Sequence, residues 1–366
     1  MLIELAPLLS ALLMWAAFQP LGWGVLALVA LTPLLAALRR VESRRGAAAL
    51  GFTYGVGFYS LLLFWVKETG YLSLVALVLL LAGFATAYAL VVYQARAWGR
   101  TVWWLTAVGA WAFMELLRAH IPFGGFPWGL LGYPAGEYQW TRGAAQFIGT
   151  TGWSVLFVAV SAGLVLFVTD RRRPTRWLAP ALAVTVLFTF LGAVSSPTAD
   201  GEEMAVAIIQ GNSPCPGERC PNENVEIFES HLELTGTLRE GDAELVVWPE
   251  SSVGSSVELS THPDRHAQVA AEARRLNAWF LVGSQRNLDE DSFTNLNVLL
   301  DPTGKIVGEY WKQHPVPFGE YVPLRPLFDW IPALDQVPRD LERGDEVTIF
   351  DLPGGRLGSV ISFEGA

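Results

Sequence analysis

Seven apolar stretches fill the first 196 of 366 residues, near 2–17, 21–38, 47–66, 71–93, 101–118, 153–169 and 177–194. Each approaches the roughly 20 residues that a helix needs to cross a hydrocarbon core of about 30 Å. The first lacks the basic start and small-residue cleavage site of a signal peptide and is followed at once by more such stretches, so it reads as a span. Beyond residue 196 the chain becomes mixed and acidic. From Asp200 onward it carries 29 Asp+Glu against 12 Lys+Arg, leaving 6 acids and 13 bases before that point. The overall charge of −10 therefore hides a basic, apolar half and an acidic, water-compatible half. The expected domains are a transmembrane region of about seven helices over 1–196 and a second domain over 197–366. An acidic domain makes nucleic acid an unsuitable partner, because phosphate binding needs clustered Lys and Arg.

The basic residues set an orientation. Ten arginines lie in alternate connections: Arg39, Arg40, Arg44 and Arg45; Arg96 and Arg100; Arg171, Arg172, Arg173 and Arg176. The other connections hold only Lys67, Arg118 and Arg142. The positive-inside rule places the arginine-rich connections and the N-terminus in the cytoplasm, and the acidic domain outside. On that oxidising side Cys215 and Cys220, in NSPCPGERCPNE, are expected to form a small disulfide, with free thiols as the alternative. A metal site is disfavoured because no second Cys or His pair has matching spacing.

The connection after the fifth span, RAHIPFGGFPWGLLGYPAGEYQWTRGAAQFIG, mixes Gly and Pro with Phe123, Phe126, Trp128, Tyr133, Tyr138 and Trp140. It reads as an aromatic belt at the outer surface, or as a lipid-facing wall beside an active site. From residue 204 the hydrophobic period changes. MAVAIIQ, AELVVWPE, WFLVGSQ, TNLNVLLD, KIVGEYW, VTIF and RLGSVIS are strand-like, while 222–238 and 263–278 have helical spacing. The β-α-β-α-β opening predicts an α/β domain with a largely buried sheet.

Three predicted strand ends carry reactive groups: Glu250 in VVWPESS, Lys312 in EYWKQHPVPFGEYVP, and Ser362 in GSVISFE. Taken singly, each has an ordinary explanation. A Glu after a strand caps or is solvated, a Lys among aromatics snorkels, and a Ser near a strand end makes a turn. Together they supply a general base, an oxyanion-stabilising cation and a nucleophile position, the parts that covalent acyl chemistry needs.

The text around these residues, WPE, then YWKxHxVPFGEYVP, then ISFE, resembles the nitrilase (carbon–nitrogen hydrolase) superfamily. The multi-span N-terminal half with GFPWGLLGYP narrows the resemblance to the apolipoprotein N-acyltransferase family, over nearly the whole chain. The resemblance implies an αββα sandwich, incomplete here at its C-terminus, after the membrane helices. It also implies Glu250 as general base, Lys312 as catalytic lysine, Ser362 at the nucleophile position, and Glu320 and Glu364 as supporting acids. The implied partners are a phospholipid acyl donor and the N-terminal diacylglyceryl-cysteine of a lipoprotein as acceptor, met by a monomer in the bacterial inner membrane with its catalytic domain in the periplasm. No metal or organic cofactor is implied.

Four departures qualify the resemblance. The family's nucleophile is cysteine, and a thiol of pKa about 8.5 is far more readily ionised beside Lys⁺ than a serine hydroxyl. Impaired turnover is therefore expected. The Trp that commonly follows Q-G-N is absent, with the Cys pair in its place, and Pro315 stands where Leu is usual. The chain also stops at Ala366, before the further strands and last span that the family implies, so an unclosed sheet of poor stability is expected. A membrane-tethered amide or nitrile hydrolase and a non-catalytic lipid- or lipoprotein-binding relative are the alternative readings.

Overall fold

The computed structural model describes residues 2–169, 175–195, 203–215, 220–328 and 330–365. Arg171, Arg172 and Arg173, and the expected boundary at 196/197, lie outside the described residues. The chain divides into two compact units, Met1–Ala199 and Asp200–Ala366.

The first unit is helical: α1 (Leu2–Ala17), α2 (Thr32–Arg40), α3 (Arg44–Leu62), α4 (Tyr71–Ala95), α5 (Arg100–Arg118), the single turn α6 (Gln139–Arg142), α7 (Ala145–Thr169) and α8 (Thr175–Val194). Among the described residues three helical segments, Tyr71–Trp98, Ala145–Thr169 and Thr175–Val194, are long and apolar enough to cross a membrane; Ile3–Ala17 is apolar but shorter. The helices α3 and α5 have 19 residues each, but α3 opens on Arg44-Arg45 and α5 carries Arg100, Glu115 and Arg118. The expected span near 21–38 is not one helix. It is a short 3-10 segment, Gly24–Leu28, followed by the nine residues of α2. Pro20, Gly22, Gly24 and Pro33 explain the break, since proline removes a backbone donor and glycine weakens a helix. Neighbouring side chains take up the freed backbone groups: Ser161 donates to the Leu28 carbonyl at 2.9 Å, and the Leu34 amide donates to Ser10 at 2.9 Å. Side-chain rescue of this kind is what lets a broken helix persist in an apolar setting.

Close packing of α3 on α4 depends on small residues. A Cβ at Gly51 would meet the Ala85 carbonyl at 2.8 Å, and one at Gly55 would meet the Ala82 Cα at 2.6 Å. This small-xxx-small seam lets backbones approach where lipid-like surroundings supply no hydrophobic drive. Two of the arginine-bearing connections meet: Arg96 donates to the Val41 carbonyl, and Tyr93 donates to the Glu42 carbonyl at 3.0 Å. Within the unit's other connections Trp65 packs on Trp128 (4.9 Å between centroids), and Gln19 donates to Glu137 at 2.8 Å.

The second unit holds a six-stranded mixed sheet. Strands β1 (Val206–Ile208), β2 (Leu245–Val253) and β3 (Trp279–Asn287) are parallel; β4 (Ser292–Leu300) and β5 (Ile306–Trp311) continue antiparallel, and the two-residue β6 (Asp340–Leu341) pairs with β4. The crossovers β1 to β2 and β2 to β3 are helices α9 (Glu223–Thr235) and α10 (Pro263–Leu276), as parallel pairing requires. Alternation along the strands sends Val246, Trp248, Phe280, Val282, Leu296 and Val298 into a core with Phe228, Val269 and Ala273 of these helices. The opposite face, with Leu245, Leu281, Leu299 and Tyr310, packs on Phe350 and Leu352 of a separate hairpin, β7 (Ile349–Leu352) and β8 (Gly355–Gly358). The sheet is mixed and unclosed. A last turn, α11 (Arg325–Phe328), lies in the connection from β5 to β6.

The expected strand RLGSVIS is shorter than its pattern. Pairing ends at Gly358, and Ser362 begins a 3-10 turn with φ of 53°. Likewise β2 does not end before Glu250: it continues to Val253 through an irregularity.

Candidate active site

That irregularity is what aims Glu250. In β2, Trp248 pairs with Val282 of β3 and Val253 pairs with Ser284, so Pro249–Ser252 bulge out opposite the single residue Gly283. Pro249 has no amide to donate and Ser251 adopts φ of 61°, both of which suit a bulge. Gly283 has to be glycine, because a Cβ there would lie 2.2 Å from the Pro249 carbonyl oxygen and 2.8 Å from the Glu250 Cα.

Lys312 follows β5 directly. Its backbone amide donates to the Asn295 carbonyl at 2.9 Å, and its side chain is wholly buried. The ammonium lies 2.6 Å from Glu320 Oε1 and 3.5 Å from Glu250 Oε1. The other Glu320 oxygen accepts from the Val316 amide at 2.7 Å, so the loop of the lysine motif folds back to deliver its own counter-ion. Two carboxylates around one buried cation offset the cost of burying it.

Glu364 is a brace. Its side chain is 3% exposed, and its two oxygens accept from the Tyr310 hydroxyl at 2.7 Å, the Gln313 amide at 2.7 Å, the His314 amide at 3.1 Å and the Ile361 amide at 2.7 Å. Burial pushes its carboxyl pKa up, but these four donors outweigh burial and hold it below the ordinary carboxylate range. In this way Glu364 ties the segment carrying Ser362 to the segment carrying Lys312. Ser362 and Glu250 line one cleft of about 240 Å³, together with Leu281, Asn297 and Ser359.

The structure thus brings Glu250, Lys312 and Glu320 into direct contact, sets Ser362 on the same cleft as Glu250, and makes Glu364 structural support. Cys215 and Cys220 are joined in a disulfide. Among the described residues no cluster of His, Cys, Asp or Glu is arranged to hold a metal. Sequence reasoning missed Asn295, which donates to Glu250 Oε1 at 2.6 Å, and Asn297, which donates to Ser359 at 2.7 Å. A signal was present: two asparagines at alternate positions of TNLNVLL put amides on one face of a buried strand. It also missed His231 beneath the bulge. Nδ1 of His231 donates to the Ile227 carbonyl at 2.7 Å, Nε2 accepts from the Gly211 amide at 3.2 Å, and Ser252 lies 3.1 Å from Nε2.

Two family descriptions match the chain. Residues 10–163 match the apolipoprotein N-acyltransferase N-terminal domain, and residues 205–365 match carbon–nitrogen hydrolase. An apolipoprotein N-acyltransferase of Geobacter metallireducens is 30% identical over 395 residues, covering 99% of this chain and 73% of the relative. One of Nitrosomonas europaea is 31% identical over 347 residues, covering 90% of this chain and 68% of the relative. Both halves of the molecule, the helical unit and the sheet with its Glu–Lys–Glu cluster, therefore point the same way, and the chain belongs to the apolipoprotein N-acyltransferase family.

Proposed function

We propose that the chain is built for phospholipid-dependent N-acylation of the N-terminal diacylglyceryl-cysteine of lipoproteins, through an acyl-enzyme at position 362. The single observation that carries this reading is the wholly buried Lys312 held between Glu320 and Glu250, the latter lining the same cleft as Ser362. In the first step Glu250 takes the proton of the nucleophile, which attacks an ester carbonyl of the phospholipid. Lys312 stabilises the oxyanion, and the lysophospholipid leaves with the proton from Glu250. In the second step the free α-amine of the lipoprotein attacks the acyl-enzyme, forming the amide and releasing the nucleophile with its proton. The arginines of the two connections that meet, near 39–45 and 96–100, support a cytoplasmic placement of those connections, with the acidic domain in the periplasm.

An oxygen nucleophile is the weak part of this machinery, since a hydroxyl needs far stronger activation than a thiol. The test is transfer of a labelled acyl chain from phospholipid to a diacylglyceryl-cysteine peptide, comparing the chain as it stands with Ser362→Cys in detergent or vesicles. The thiol form is expected to be faster by about 100-fold or more. Equal turnover of the two forms would contradict this account of position 362. Acylation of neither, with lipid or peptide still bound, would favour the non-catalytic reading. Release of a small amide's ammonia without lipid transfer would favour the hydrolase.

A further inference from the structure

Glu250 Oε1 has two neighbours of different strength. The Asn295 amide donates to it at 2.6 Å, whereas the Lys312 ammonium stands off at 3.5 Å and pairs with Glu320 at 2.6 Å instead. Among the described residues no hydrogen bond reaches Glu250 Oε2. Left to electrostatics alone, an ammonium between two carboxylates would draw both in. The hydrogen bond from Asn295 opposes that collapse for one of them. Asn295 is only 2% exposed, and its backbone carbonyl accepts the Lys312 amide, so one residue fixes the backbone of the lysine and the side chain of the acid. Its Oδ1 is buried without a hydrogen-bond partner among the described residues. Turning the amide over would aim that oxygen at a carboxylate, so the negative charge of Glu250 fixes which end faces it. A buried amide with one end committed and the other unsatisfied is costly as packing, which points to a role in what the committed end holds.

We propose that Asn295 is a positioning residue: it holds Glu250 off Lys312, so that the lysine is neutralised by Glu320 while Glu250 keeps an oxygen free to take the proton of the group at position 362. This rests on the reading of Glu250 as general base. It assigns unequal work to the two carboxylates that flank the lysine, Glu320 as counter-ion and Glu250 as proton acceptor, and it makes Asn295 the cause of the difference.

The test needs no lipid. In a Ser362→Cys background the only other cysteines, Cys215 and Cys220, are tied in the disulfide, so iodoacetamide reports on the introduced thiol alone. The thiol passes its proton to Glu250, the sulfur displaces iodide, and the alkylation rate reads the activation. Adding Glu250→Gln is expected to slow alkylation, and adding Asn295→Ala to slow it by about tenfold, the equivalent of one charge-assisted hydrogen bond. Asn295→Ser, which keeps a short donor, is expected to recover part of the rate. In the Glu250→Gln background Asn295→Ala is expected to change the rate by less than about twofold, because a residue that acts through Glu250 has nothing left to position. An equal loss in both backgrounds, or no loss in either, would overturn the proposal. So would faster alkylation in the Asn295→Ala form, the signature of a site that has merely opened. If Glu250→Gln alone leaves the rate unchanged, the base assignment fails and the proposal with it; if only the Asn295 variants are silent, the base assignment stands without it.

Discussion

At the scale of single residues, the site is organised around one buried cation. Lys312 is wholly enclosed, and its two carboxylate neighbours retain 32% and 19% exposure. Replacing it by Met would leave Glu250 and Glu320 facing each other without a counter-ion. Loss of one partner of a buried pair costs about 3–5 kcal/mol, and access of water to the two acids places this case at the lower end. Denaturant unfolding of Lys312→Met is expected to show that loss, and a change below about 1 kcal/mol would mean the cluster behaves as a surface pair. Tyr310→Phe removes one of the four donors to Glu364 and is expected to cost about 1.5–3 kcal/mol, the range for a hydrogen bond to a charged group. The residue types at these positions were legible in the sequence, because WPE, the lysine motif and SFE spell them out. Their division of labour was not. Glu364 read as a supporting acid, and only its four hydrogen bonds identify it as the tie between two loops.

At the scale of elements, the bulge in β2 is the device that matters. Four residues, Pro249–Ser252, stand where β3 offers only Gly283, and the missing Cβ of that glycine makes the room. Gly283→Ala would drive a methyl group into the Pro249 carbonyl, so either the bulge or β3 has to move. The expected cost is about 1–3 kcal/mol, as for other overpacked positions. A larger effect is expected on activity than on stability, because the displaced residue is Glu250. Comparing the melting temperature of Gly283→Ala with its acyl-transfer rate checks both; an unchanged rate would show that the bulge tolerates the methyl. Periodicity placed most strands and both crossover helices correctly. It failed for the segment at 21–38, where Pro33 and the glycines break an apolar run, and for RLGSVIS, where an apolar Val-Ile pair leaves the sheet after Gly358. In both cases an apolar run says nothing about backbone pairing: Ile361 is buried and Val360 exposed, and neither belongs to a strand.

At the scale of the whole molecule, three buried groups of the sheet unit, His231, Glu258 and Glu364, contribute to the response to acid; for Glu258 burial raises the pKa but bonds from Arg286 and Ser260 outweigh it, as the donors to Glu364 do there. Burial holds the imidazole of His231 below its ordinary range, and its Nε2 accepts an amide proton, so it is folded in as a neutral ring. The unfolded chain takes up a proton near pH 6.5 before the folded one does, so this stability is complete above about pH 6.5 and declines as the pH falls. Glu364, whose donors overcome burial and hold its pKa down, contributes stability that is present above its unfolded value of about 4.3 and is lost as the pH falls through its folded value. Melting curves in detergent are therefore expected to fall in two stages, beginning near pH 6.5 and again near pH 4.3. A melting temperature constant from pH 7.5 to 5.5 would contradict the assignment of His231. By itself the sequence determined the division into a membrane half and an acidic sheet domain, and singled out Glu250, Lys312, Glu320, Ser362 and Glu364, which the structure brings close together. Those depend on composition, period and local motifs, which are properties of neighbouring positions along the chain. The tertiary structure alone decided which carboxylate pairs with Lys312, that Asn295 holds the other, and that a glycine one strand away makes room for the bulge carrying Glu250. These are contacts between residues 8 to 62 positions apart, and close spacing of that kind is set by strand register and bulge geometry, which no local pattern encodes.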